Sequence, residues 1–76
     1  VTEELQEAID VCRTIHLLFR ARFPDGVRDV QNVEIRDFLE AINPLRNPLQ
    51  DKGYILTFHT NRPCVKYQSQ QYEVEI

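Results

Sequence analysis

Apolar positions recur at helical spacing over the first 22 residues. Leu5, Ala8, Ile9, Cys12, Ile15 and Phe19 lie three or four apart, which aligns them on one side of a helix from Thr2 to about Arg22. Thr2 has the hydroxyl of an N-cap, and Leu5 opens the stripe three residues later. Glutamates fill the first turns and arginines the last, the polarity that complements the helix dipole. The tetrapeptide "FPDG" (23–26) stops the helix, because proline cannot continue it and Asp-Gly favours a turn. "VRDV" (27–30) alternates and reads as a very short strand. Asn32 then caps a second helix, whose buried face is Ile35, Phe38, Leu39 and Ile42. Asn43-Pro44 is expected to end it.

"NPLRNPLQ" (43–50) contains Asn-Pro-Leu twice, four residues apart. Asparagine suits an N-cap and proline the first helical position, so the octapeptide reads as helix-start signals. Gln50 stands where a capping box returns its hydrogen bond to Asn47. A short third helix over about 44–52 follows, with Gly53 as its stop. Next comes a hairpin, Tyr54–Thr60 against Cys64–Ser69 across a turn at 60–63. Setting Phe58 opposite Val65 places Leu56 by Tyr67 and Tyr54 by Ser69 on one apolar face. Ile55, Thr57, His59, Cys64, Lys66 and Gln68 then occupy the other, mostly polar face. After Ser69 the parity slips and Tyr72, Val74 and Ile76 alternate, so a bulge or turn at 69–71 is expected. The tail either extends the second strand or adds a third. The core predicted from these periods is Ile15, Phe19, Ile35, Phe38, Leu39, Ile42, Leu56, Phe58 and Val65.

Composition limits what this α+β chain can be. Its 76 residues suffice for one small domain, and 42 % hydrophobic residues exclude a disordered chain. No apolar run approaches the ~20 residues of a membrane span, and no signal-peptide pattern is present. The chain contains no methionine and begins "VTEEL", so we expect residues 1–76 to be one domain cut from a larger protein. Two cysteines, Cys12 and Cys64, are too few for a disulfide framework, which points to a reducing, intracellular setting. A single Cys12–Cys64 bridge is the alternative.

The order of helix, short strand, helix, short helix and hairpin resembles the winged-helix family. The likeness covers most of the chain. It rests on element order and on the "LQDKGYI" join (49–55) from third helix into sheet. It implies a helix-turn-helix after a long first helix, then a β-hairpin or three-stranded sheet. In such a domain Arg46, Asn47 and Gln50 would approach the major groove, and Asn, Gln and Arg are residue types that read base edges. Lys52, Arg62 at the loop tip and Lys66 would contact phosphate or the minor groove. Pro44 and Pro48 depart from the family's uninterrupted recognition helix.

Charge and side-chain chemistry refine this picture. The net charge of −3 is mildly unfavourable for nucleic acid, although the cations are clustered locally. Two histidines, one serine and two glycines leave no phosphate loop and no nucleophile elbow, so no enzyme, cofactor or small-molecule substrate is expected. Cys12, His16, His59 and Cys64 form a Cys₂His₂ set in principle. Hairpin parity separates the two pairs, so we expect no metal site, only a core cysteine and a surface histidine. Arg13, His16 and Arg20 line one flank of the first helix, where dipole matching and an Asp10–Arg13 salt bridge account for them. Val11, Leu17 and Leu18 flank its main stripe and are expected to stay uncovered, as a surface for a protein partner or a two-fold homodimer. The leading expectation is a non-enzymatic, winged-helix-like nucleic-acid-binding or regulatory domain. The alternative is a protein-interaction module of the same fold, and the third a small metal-stabilised module. A coherent positive face would favour nucleic acid. Scattered charge beside an apolar groove would favour a protein.

Overall fold

A computed structural model describes residues 2–75 of the chain. Helix α1 (Glu3–Arg22) and helix α2 (Asn32–Asp51) precede three strands, β1 (Ile55–Thr57), β2 (Cys64–Tyr67) and β3 (Gln70–Glu73). The strands form an antiparallel meander in the order β1-β2-β3. This is an α+β domain compatible with a winged-helix-like topology, with the long N-terminal helix and three-stranded sheet read from the sequence. The helices run antiparallel: Glu4 near the start of α1 meets Lys52 after α2, and Phe19 meets Phe38.

The ends of α1 form as expected. Thr2 Oγ1 accepts from the Leu5 N–H at 3.1 Å. At the other end the Phe23 N–H returns to the Phe19 carbonyl, and Gly26 turns with φ +84°. Residues 27–30 are not a strand. The Val30 N–H bonds to the Val27 carbonyl, closing a turn, and Val30 packs on the core from there. Asn32 is the first residue of α2, and Gln31 takes the N-cap position expected of Asn32.

The expected break at Asn43-Pro44 does not occur. α2 continues through Pro44 and Pro48 to Asp51, so the separate third helix over 44–52 is its last two turns. Both prolines are exposed and four residues apart, hence on one solvent-facing side. Each lacks the N–H that would reach the carbonyl four residues back, at Glu40 and at Pro44. On an exposed side water can satisfy those carbonyls, while Ile42 and Leu49 stay anchored in the core. The stop at Gly53 is as expected. Gly53 (φ +98°) donates to Gln50 and Tyr54 donates to Leu49, the two bonds of a Schellman motif.

The β1–β2 register differs from the expected one by two residues: Leu56 faces Val65 and Thr57 faces Cys64. A shift of two preserves parity, so Tyr54, Leu56, Phe58 and Val65 are buried as expected. In this register Phe58 would face Pro63, which has no N–H to donate. His16 Nδ1 hydrogen-bonds the Phe58 carbonyl at 2.7 Å, which takes that group out of the ladder. Pairing therefore stops at Thr57, and the turn expected at 60–63 becomes a six-residue connection, 58–63. Cys64, expected on the polar face, is buried between the buried Pro63 and Val65. Ile35 is only half-buried and stands outside the core cluster, and Phe38 and Leu39, also expected in the core, are half-buried and pack against it. Leu5, Ala8, Cys12, Phe23, Leu49, Tyr54 and Val74 complete that cluster.

The slip in parity near Ser69 resolves into a third strand. Tyr67 pairs with Gln70 around Gln68 (φ 50°) and Ser69 (φ 67°), the φ signature of a type I′ turn. Both positions favour glycine or asparagine. A non-glycine residue there costs about 1–2 kcal/mol. Ser69→Gly is expected to stabilise the domain by about 1 kcal/mol, read as a rise of about 4–8 °C in a thermal melt. A lower melting point would contradict the turn assignment. Val74 is buried and its N–H bonds to the Pro63 carbonyl. Ile76, expected to continue the alternation, lies outside the described residues.

Candidate interaction surface

Two side chains of α1 hold the end of β1. Cys12 Sγ lies 3.5 Å from the Thr57 carbonyl and 3.6 Å from that of Cys64, and His16 bonds to Phe58. Burial, and after it the neighbouring Cys64, pushes the Cys12 thiol up to about 11, so it stays protonated and unreactive at neutral pH. Both cysteines are unbridged, and His59 is exposed. Among the described residues no group of three or more His, Cys, Asp or Glu side chains is placed to hold a metal ion. No helix among them is long and apolar enough to cross a membrane.

The flank Arg13–His16–Arg20 ties α1 to the rest of the fold. Arg13 pairs with Asp10 at 3.0 Å and donates through Nε to the Glu75 carbonyl at 2.7 Å. Arg20 donates to Asn61 Oδ1 at 3.0 Å. The loop 58–63 is thereby docked on α1, with Pro63 buried and Arg62 exposed.

The six residues named as nucleic-acid contacts divide among separate places. Lys52 lies 3.8 Å from Glu4. Arg62 follows Asn61, which is held by Arg20. Glu4 and Arg20 are sixteen residues apart on one helix, or about 24 Å. Lys66 is exposed on the outward side of the sheet, in the row Ile55–Lys66–Gln71. Arg46 is half-buried. Its Nη2 donates to Asn43 Oδ1 at 2.8 Å, and its Nε is buried without a partner among the described residues. Asn47 and Gln50 are exposed on α2 and cap nothing, because the helix runs through them. Arg36, Asn43, Asn47 and Gln50 follow one another at helical spacing along one side of α2. Sequence reasoning missed Arg36 and Asn43 in that line because it ended the helix at Asn43. The spacing itself was the available signal.

The apolar residues of α1 and α2 are arranged differently. Val11 is half-buried against the core, whereas Leu17 and Leu18 remain 49 % and 47 % exposed. Among the described residues, neither 27–30 nor the tail up to Glu75 buries them. Across the helix pair, Leu45 of α2 is 45 % exposed. Val11 and Leu45 form the floor of an open groove whose rim carries Glu3, Glu7 and Asp10. No family model, no curated protein and no solved structure matches this chain.

Proposed function

We propose that this chain is a non-enzymatic protein-interaction module that works through the outward side of the α1/α2 pair. The observation that carries this reading is the open groove between the helices, where Leu45, 45 % exposed, and the half-buried Val11 lie together, with Leu18 exposed two turns further along the same side of α1. Apolar surface left open in this way marks contact sites in small domains. The acidic rim and the net charge of −3 fit a protein better than a polyanion. The dispersal of Lys52, Arg62 and Lys66 supports the same choice.

A second reading is a winged-helix-like nucleic-acid-binding or regulatory domain. It is favoured by Asn47 and Gln50, which lie exposed beside Arg46 on α2, with Arg62 and Lys66 as further cations. The test is fluorescence anisotropy with a labelled duplex at low salt. We expect no saturable binding below about 100 μM, the weak end of ordinary non-specific affinity. A low-micromolar isotherm with log affinity falling steeply against log salt would replace the protein reading with the nucleic-acid one.

A further inference from the structure

Deepening the protein-interaction reading, on which it rests, we infer that the partner for this surface is a second copy of the chain, bound through α1 in antiparallel, two-fold fashion. Val11, Thr14, Leu18 and Ala21 follow one another at three, four and three residues, the spacing of a coiled-coil seam. This line lies beside the stripe that faces the chain's own core. Thr14, Leu18 and Ala21 are exposed and Val11 is half-buried. Small residues at 14 and 21 allow a second helix to approach closely. The line from Val11 to Ala21 is about 15 Å long, the C-terminal half of α1.

Charge selects the occupant and its direction. Beside this line the first half of α1 carries Glu3 and Glu7 and the second half Arg22, whereas Arg13 and Arg20 lie on the other flank, bonded to the Glu75 carbonyl and to Asn61. An antiparallel register that sets Val11 against Leu18 of the other copy also sets Glu7 against its Arg22. The dyad then falls beside Thr14. A parallel pair would place Glu7 against Glu7 and Arg22 against Arg22. The helix is thus complementary to itself in one direction only, as an isologous interface requires. A contact of this length is smaller than a standard specific interface, so the dimer is expected to be weak and reversible.

Sedimentation equilibrium from about 5 μM to about 500 μM, a span suited to a weak dimer, tests the inference. Wild type is expected to pass from monomer to dimer and no further. Leu18→Glu should remain monomeric throughout with an unchanged thermal melt, because the side chain is half-exposed in the monomer. Glu7→Arg should weaken the dimer by about fivefold, since the two-fold axis counts the lost pair twice. Adding Arg22→Glu to that variant should restore the wild-type constant. A monomer at every concentration overturns self-pairing and leaves the surface to a different protein, as does a dimer untouched by Leu18→Glu. Failure of the double charge swap to restore affinity overturns the antiparallel register. The DNA titration is independent of these results, so a failed dimer and a failed protein reading are told apart.

Discussion

Phe19→Ala is expected to cost about 3–5 kcal/mol of folding stability. A chain of this length has roughly 4–11 kcal/mol in total, so the variant sits near the threshold of folding. The residue is 8 % exposed, with ring centroids 5.2 Å from Phe23, 5.6 Å from Phe38 and 5.9 Å from Phe58. It touches the end of α1, the middle of α2 and the segment after β1. Alanine would remove the ring and leave a cavity walled by three others, which cannot all collapse into it. The melting temperature should fall by about 12 °C or more. Phe38→Ala should cost less, because Phe38 is half-buried and water already reaches one side of it. Urea denaturation of both variants checks the order. A Phe19→Ala loss below about 1 kcal/mol would mean that the aromatic cluster does not hold the layers together.

What could be read from the sequence followed from side-chain period. The stripe of α1, the stop at "FPDG", the stop at Gly53 and the inward side of the hairpin all depend on local spacing and turn chemistry. Parity in a strand survives any even shift, so the faces came out correctly while the register was off by two. The end of the ladder coincides with a contact 42 residues apart in sequence, His16 to the Phe58 carbonyl, which no local pattern reveals. Residues 27–30 alternate like a strand but have no neighbour to pair with, and close into a turn instead. At the surface, the exposure of Leu17 and Leu18 was legible because three flanking apolar residues exceed what one stripe can bury. The polar line on α2 was only half legible, because Pro44 was read as a terminus.

The prolines also furnish the second large effect, in the stabilising direction. Pro44→Ala and Pro48→Ala are each expected to raise stability by about 2 kcal/mol, and the pair by about 4 kcal/mol. A proline inside a helix costs about 3 kcal/mol relative to alanine, through the lost N–H and the clash with the preceding turn. Part of that is offset because proline restricts the unfolded chain, an advantage of about 0.4–1 kcal/mol that alanine forfeits. Both side chains are exposed, so neither substitution opens a cavity. The restored N–H groups would meet the carbonyls of Glu40 and of residue 44. The second acceptor is a main-chain carbonyl that proline and alanine both carry, so the value for the pair is the sum of the single effects. Circular dichroism at 222 nm and denaturant midpoints measure the outcome, with a rise in melting temperature of about 8 °C or more for the double variant. A loss of stability would mean that the chain breaks at Asn43-Pro44 after all. The line from Arg36 to Gln50 would then be two short segments, and the exposed amides of Asn47 and Gln50 would return to capping the second.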